Sequence, residues 1–271
     1  MSVKRSCSLV SLSRSMWYYK NQKDDGELIA KLNELADRYP TRGFDQYYKH
    51  IRSEGLKWNR KRVLRVYRLM MLHMRRKRKR RRIPARVKVP LQVPQKMNQT
   101  WSMDFMCDSL ESGRRFRVLN IIDDHNRGAL AIEPGFSLPA ERVVEHLERA
   151  IELNGKPKTI RVDNGPEFIS EVFQDYCKQR HIEIQYIQPG RPMQNGYIER
   201  FNRTFREDVL DAWLFSNIRD AAERFDEWKT RYNNEHLHGS LEDLSPNEFA
   251  SLNPGASPRI KKLELEETCI I

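Results

Sequence analysis

The chain has 271 residues, 39% hydrophobic and 32% charged, with a formal net charge of +12. That length allows one sizeable core plus one or two small modules, and no apolar run approaches the length of a membrane span, nor does an apolar segment follow the basic N-terminus as in a secretion signal. The four cysteines, Cys7, Cys107, Cys177 and Cys269, lie far apart with no CxxC spacing, so neither a zinc module nor a disulfide framework is expected, and a reducing, cytoplasmic compartment fits.

Residues 1–74 read as helical. "GELIAKLNELADRYP" places Leu28, Leu32 and Leu35 at helical spacing, and Pro40 stops the run. "FDQYYKHIRSEG" predicts a second helix ending at Gly55. "NRKRVLRVYRLMML" predicts a third, capped by Asn59. Helix, short turn and Arg/Lys-rich helix make a helix-turn-helix-like pattern, although helical hairpins are common. Trp58, Tyr67 and the run Leu69-Met70-Met71-Leu72 are expected to pack inward, and His50, His73 and His125 to be ordinary polar positions.

Charge is unevenly spread. Residues 41–90 hold 19 Lys and Arg against two Asp and Glu, whereas residues 101–271 carry a net charge of about −8. The basic part suits a polyanion such as nucleic acid better than it suits a merely solubilising tail. Its densest stretch is Arg75–Arg82, eight consecutive basic residues. "IPARVKVPLQVPQ" follows, with prolines at 84, 90 and 94, and reads as an extended linker. The expected organisation is therefore a helical region over 1–74, a basic linker over 75–95, a core over 96–255 and a tail over 256–271.

From residue 100 the periodicity changes. "TWSMDFMCD" is strand-like, and "FRVLNIIDDHNRGALAIEP" reads as two strands joined by a tight turn near Asp124–Gly128. "PAERVVEHLERAIELNG" is an amphipathic helix with Val143, Val144, Leu147, Ala150 and Ile151 inward and Gly155 as its stop. "KTIRVDNG" is a short strand, "SEVFQDYCKQRH" a helix, "IEIQYIQP" an alternating strand and "QNGYIERFNRTFREDVLDAW" one long helix. The sum is a mixed α/β sheet with helices on its faces.

Three acids then acquire addresses. Asp104 lies within the first strand, Asp163 at the end of the fourth and Glu199 in the first turns of the long helix. Reactive groups in open α/β sheets gather beyond the carboxyl ends of strands. Converging carboxylates repel unless a cation joins them, and Mg²⁺ suits hard oxygen ligands. Two such ions about 4 Å apart would serve phosphodiester chemistry. Each acid also has a plainer reading. Asp163 before Asn-Gly forms turns, Glu199 is followed by Arg200 and Arg203 as on a solvated helix face, and Asp104 would be solvated on an edge strand. Asp108, Asp123 and Asp124 compete for the same role.

Thirty-five residues separate Asp163 from Glu199. That spacing, with "VDNGPEF" and "QPGRPMQNGYIERFNRTFRED", resembles the core of DDE transposases and retroviral integrases. The resemblance is closest to bacterial insertion-sequence transposases whose integrase-like frame is expressed by frameshifting from a small upstream frame. "VKRSCSLVSLSRSMWYY" looks like the start of that frame, "RGFDQYYKHIRSEGLKWNRKRVLRVYRLMML" resembles its helix-turn-helix module, and "YNNEHLHGSLEDLSPNEF" matches the end of the core. The resemblance implies a ribonuclease H-like five-stranded sheet with flanking helices behind a small all-α module. It implies Asp104, Asp163 and Glu199 as a catalytic, metal-holding triad for two Mg²⁺ or Mn²⁺ ions.

The family also implies a DNA-facing basic residue seven positions after the Glu, here Arg206; 199, 203 and 206 share a helical face by spacing. Glu167 belongs to the motif as support for the site. Asn195 is a plausible helix cap, with Gly196 easing the turn. In place of the family's Arg-Pro-His, this chain has His236-Leu237-His238, and only the last position matches. The implied activity is cleavage of element ends in double-stranded DNA and their joining to target DNA, with no protein–DNA covalent bond and no nucleophilic role for Tyr197. A nuclease that does not join, or a silent DNA-binding protein, would share many of these features. Candidate DNA contacts are Arg60, Lys61, Arg62, Arg65, Arg75, Arg76, Lys77, Arg203 and Arg206. A homo-oligomer on DNA, an upstream-frame partner protein and a nucleoid-associated cytoplasmic location complete the expectations.

Overall fold

The computed structural model describes residues 2–18, 24–72, 94–187 and 195–252. Arg75–Arg82 (with Arg75, Arg76 and Lys77), His73, most of the Pro-containing linker and the 256–271 tail lie outside the described residues. The chain divides into two compact units, Met1–Lys77 and Arg78–Ile271.

The described part of the first unit is wholly helical: α1 Val3–Leu9, α2 Arg14–Trp17, α3 Gly26–Arg38, α4 Phe44–Ser53 and α5 Arg60–Leu69. Leu28, Leu32 and Leu35 of α3 meet Tyr47 and Ile51 of α4 and Val63, Val66 and Tyr67 of α5 in one apolar cluster, with Trp58 against its edge. The stops follow local chemistry. Gly55 takes φ +82° after α4, where a side chain would be strained. Asn59 caps α5 by accepting the Lys61 N–H at 2.9 Å. The run Leu69–Leu72 departs from expectation. Met70 and Leu72 pack on the cluster, but Leu69 and Met71 are 69% and 79% exposed. Leu69 falls on the solvent side of the last α5 turn, and Met71 enters the left-handed region at φ 55°, which swings it outward.

The second unit is built on a five-stranded sheet ordered β3-β2-β1-β4-β5. The strands are β1 Thr100–Ser109, β2 Arg115–Asp123, β3 Ala129–Gly135, β4 Thr159–Val162 and β5 Glu183–Tyr186. β1, β2 and β3 form an antiparallel meander, while β4 joins β1 and β5 joins β4 in parallel. The helices are α6 Ala140–Asn154, α7 Pro166–Ile169, α8 Glu171–Gln179, α9 Gly196–Phe205, α10 Ile218–Glu235 and α11 Pro246–Leu252. This is the expected ribonuclease H-like arrangement.

Alternation along the strands sorts the core into two layers. Leu119 and Ile121 of β2, with Trp101 and Met103 of β1, pack with Val143 and Leu147 of α6 and Phe173 of α8. Phe116, Val118 and Ile122 point the other way, to Phe201 and Phe205 of α9 and Phe225, Trp228 and Tyr232 of α10. Helices cover both faces, so the middle strands are buried on both sides. Gly155 ends α6 at φ +89°, as its sequence position required.

The second unit departs from the sequence reading at several elements, the unanticipated α11 among them. The expected single helix from 194 changes at Arg206 into a π-helical turn, Arg206–Leu210, a local widening that often accompanies functional sites. Pro166 starts the short helix α7 as well as ending the turn before it, since proline suits a first helical position. The 18-residue α10 was not anticipated, although Ala221, Phe225, Trp228 and Tyr232 form its buried stripe.

Candidate active site

Asp104 sits mid-way along β1, cross-strand from Asn120 of β2 and facing the α9 layer. Its Oδ1 accepts the Phe105 N–H at 2.9 Å, and its Oδ2 accepts Asn202 Nδ2 at 2.7 Å. Asn202 belongs to α9, and its Oδ1 accepts Asn120 Nδ2 at 2.7 Å. The carboxylate is thus oriented by an amide on the helix, which is oriented in turn by an amide on the sheet. Asp163 is the first residue after β4. Its Oδ1 accepts the Gly165 N–H at 2.9 Å, so it forms the turn and stands at a strand end at once. A Cβ on Gly165 would lie 2.9 Å from that same oxygen, so a larger residue there would push the Asp163 carboxylate aside. Glu199 projects from the first turn of α9.

The three acids come from three elements, and Asp104 feels the other two. Burial pushes Asp104 up to about 6, and the charges of Asp163 and Glu199 add to the rise, against the Phe105 N–H and the Asn202 amide. Glu199 reaches solvent, yet desolvation raises it as well. Among the described residues, no group of three or more His, Cys, Asp or Glu stands close enough to hold a metal ion.

The rival acids have structural partners. Asp123 is buried and accepts the backbone N–H of Asn98 and of His125, each at 2.7 Å. Asp124 is buried against Ser102 Oγ at 2.7 Å and Arg161 Nη1 at 2.6 Å. Asp108 accepts the Ser109 N–H at 2.8 Å, near the end of β1. Glu167 is ion-paired with Arg117, whose guanidinium lies 4.0 Å over the Phe105 ring. Burial would raise Glu167, but the Arg117 hydrogen bond and charge outweigh it and hold the carboxyl below its ordinary range.

The basic candidates divide. Arg62 Nε and Arg65 Nη2 both donate to Asp25, at 2.9 and 2.5 Å, and Arg62 also reaches the Asp24 carbonyl. Arg60 pairs with Asp45 at 2.9 Å. Lys61 is exposed. In the second unit, Arg203 pairs with Glu207 at 3.1 Å, and Arg206 folds back to the Cys107 carbonyl at 3.1 Å and to Asp211 at 3.7 Å. Asn195 precedes α9 but does not cap it. Its backbone, at φ −110° and ψ 23°, is not extended as a capping residue requires, and its buried Oδ1 has no partner among the described residues.

Asn120, Asn202 and Arg117 escaped the sequence reading as site residues. Only Asn202 had a signal: it lies three positions after Glu199, on the adjacent turn.

The integrase core domain family matches residues 94–192 and 180–246. The chain is 35% identical over 253 residues to an insertion element IS407 protein of 31.7 kDa from Burkholderia multivorans, spanning 93% of this chain and 91% of that one. It is 34% identical to an insertion element IS476 protein of 39.2 kDa from Xanthomonas euvesicatoria, spanning 93% of this chain and 73% of the relative. Among solved structures it is similar to the HTLV-2 integrase catalytic core domain, at 18% identity and a TM-score of 0.45, over 57% of this chain and 97% of that one. With a relative matched over nine-tenths of both lengths and an integrase core spanning the sheet and its helices, the chain belongs to the insertion-sequence transposases with an integrase-like core.

Proposed function

We propose that this protein is a DNA strand transferase that cleaves the ends of its element and joins them to target DNA, with Asp104, Asp163 and Glu199 as the catalytic carboxylates. The observation that carries the reading is the placement of the three acids: Asp104 is buried on β1 and oriented by Asn202 of α9, Asp163 stands at the end of β4 and Glu199 in the first turn of α9, with the charges of Asp163 and Glu199 adding to a rise in Asp104 that burial dominates. A structural protein gains nothing from such repulsion, whereas a cation between carboxylates relieves it.

The residues fit a divalent metal by chemistry: three carboxylates, hard oxygen donors, with no His or thiolate cluster among the described residues to favour zinc. Asp104, Asp163 and Glu199 would hold two Mg²⁺ or Mn²⁺ ions, with the exposed side chains of Asp163 and Glu199 turning inward. When bound, such ions lower the pKa of an attacking water and stabilise a leaving oxygen. The protein's own contribution is position and charge. Asn202 holds Asp104 toward α9, and the Asx turn at Asp163 fixes that acid at the strand end. The reaction is in-line displacement at phosphorus by water and then by a DNA 3′-hydroxyl, so no side chain becomes covalently attached.

Residues 1–74 would bind element ends through α5, with the basic segment 75–95 on phosphates, and affinity would fall steeply with salt. Lys61 is the freest of the α5 candidates; Arg60, Arg62 and Arg65 must first leave Asp45 and Asp25. Residues 96–255 would form the catalytic core. Joining two ends calls for at least a dimer on DNA, with an upstream-frame protein as a further partner, in the cytoplasm at the nucleoid. No helix among the described residues is long and apolar enough to cross a membrane.

The test is joining of a labelled element-end duplex to plasmid in Mg²⁺. Products that vanish in Asp163→Asn and Glu199→Gln, while binding persists, agree with the proposal. Nicks without joining favour a nuclease, and salt-sensitive binding without cleavage a silent DNA-binding protein.

A further inference from the structure

The turn between β2 and β3 contains two buried charges that the chemistry above leaves without work. Asp124 is fully buried, and Arg127 is 8% exposed. Neither placement is cheap. Burying ions costs several kcal/mol each before pairing, and Arg127 adopts the left-handed region at φ 61°, which costs about 1–2 kcal/mol for a side-chain-bearing residue. Its Nη1 has no hydrogen-bond partner among the described residues. Cost concentrated beside a candidate site asks for a purpose.

The partners of this turn share one relation. Asp124 Oδ1 accepts Ser102 Oγ at 2.7 Å, and Ser102 lies on β1 two residues before Asp104. Asp124 Oδ2 accepts Arg161 Nη1 at 2.6 Å, and Arg161 lies on β4 two residues before Asp163. The Arg127 guanidinium lies 3.5 Å over the ring of Tyr197, which lies on α9 two residues before Glu199. One turn thus grips the residue at the same offset from each of the three acids.

Geometry makes that offset effective. In a strand, positions i and i+2 share a face, so Ser102 and Asp104 point to the same side and move together. Ser102 and Arg161 are register partners between β1 and β4, and Arg161 is in turn paired with Gln185 of β5, with Nε donating to Oε1 at 3.2 Å. Asp124 therefore locks the level of β4 against β1 one step below the acids. On a helix, i and i+2 lie roughly 200° apart, so fixing Tyr197 on one side of α9 sets the direction in which Glu199 points on the other. The first turn of α9 needs an outside anchor, because Asn195 makes no side-chain cap.

The structure assigns to the Asp124–Arg127 turn the role of a positioning hub that fixes β1, β4 and α9 relative to one another, so that Asp163 and Glu199 need only turn their side chains inward to meet Asp104. Asp124 and Arg127 are positioning residues: they touch Ser102, Arg161 and Tyr197, not the reacting atoms. This inference rests on the reading of those acids as a metal-holding triad.

The experiment measures Mn²⁺ affinity of the full chain by the electron paramagnetic resonance signal of free Mn²⁺, alongside melting temperature, DNA affinity and joining at saturating metal. Arg127→Met is expected to raise the Mn²⁺ dissociation constant at least tenfold while DNA affinity stays within twofold. Arg127→Lys, which keeps the charge but loses the planar stack, is expected to fall between Arg127→Met and the parent. Tyr197→Phe should match the parent and Tyr197→Leu should match Arg127→Met, so the pair decides the matter if Arg127→Met does not fold. A lowered melting temperature with unchanged Mn²⁺ affinity in the folded variants would overturn the hub, leaving a packing role. Failure of the triad reading is separately visible: Glu199→Gln would then leave Mn²⁺ affinity and joining intact.

Discussion

The first unit and the sheet unit spend their polar groups in opposite ways. In the first, the charged groups of α5 stand at the surface and find acids by reach: Arg62 and Arg65 share Asp25, Arg60 takes Asp45, and each arginine is at least 37% exposed. In the second, the polar groups around the acids are buried and tied on more than one side, as Asn202 is to Asp104 and Asn120 and as Asp124 is to Ser102 and Arg161. Exposed ion pairs are worth little and exchange readily for phosphates. A buried network holds one geometry, and losing a member leaves the others unsatisfied. The first arrangement suits adjustable affinity for a polyanion; the second suits fixed placement of reacting groups.

That contrast can be broken most sharply at the acids. Glu199→Gln or Asp163→Asn should lower joining by three or more orders of magnitude while DNA affinity and melting temperature barely change. Equal losses of binding would place these acids in the DNA interface instead. Next is Asn202→Ala, which strands the Asp104 Oδ2 and the Asn120 amide. Joining should fall ten- to a hundredfold, with about 1–3 kcal/mol of stability lost in chemical denaturation. Retention of full activity would show that Asp104 needs no such orientation.

A pH series sharpens the comparison further. Burial raises Asp124 to about 6, against the Ser102 hydrogen bond and the charges of Arg161 and Arg127. The folded state then holds its proton more tightly than the unfolded chain, so this group's contribution to stability falls as pH rises from about 4 to 6. A two-unit shift corresponds to roughly 3 kcal/mol. Asp124→Asn should flatten that part of the stability curve, whatever it does to absolute stability; an unchanged slope would mean that Asp124 titrates normally. Asp25 of the first unit, whose carboxyl the hydrogen bonds from Arg65 and Arg62 hold below its ordinary range, should show no comparable effect in the same range.

The smallest effects belong to the first unit. Lys61→Ala should weaken binding of duplex DNA a fewfold and lower the salt slope by about one. Arg62→Ala should lower the slope by less than Lys61→Ala does, because Arg62 must first leave Asp25 and the Asp24 carbonyl. Equal slopes for the two variants would place Arg62 on DNA after all.

Much of this was legible beforehand, and particular residues show why. Leu28, Leu32 and Leu35 marked α3 because a helix repeats its buried face every three or four residues. β2 and β3 were legible as two strands around a tight turn. Asp104 stood out as an acid inside an apolar strand, and Asp163 and Glu199 by the distance between them. The α10 stripe was present in sequence but diluted among charged residues. The π-helical turn at Arg206–Leu210 carried no periodic mark, since "REDVL" suits an ordinary helix equally well.

Sequence alone determined most of the elements, the mixed sheet and the basic first unit, because each rests on periodicity, composition or spacing along one chain, and it offered the three acids through the resemblance that their motifs carry. Tertiary structure decided which charges are committed to the protein itself. Asp25 meets Arg65 across 40 positions, Asn202 meets Asp104 across 98, and Arg161 meets Asp124 across 37. Hydrogen bonds and ion pairs act through space over about 3 Å, and no pattern in a linear chain encodes which distant partner will stand at that distance once the strands and helices have packed.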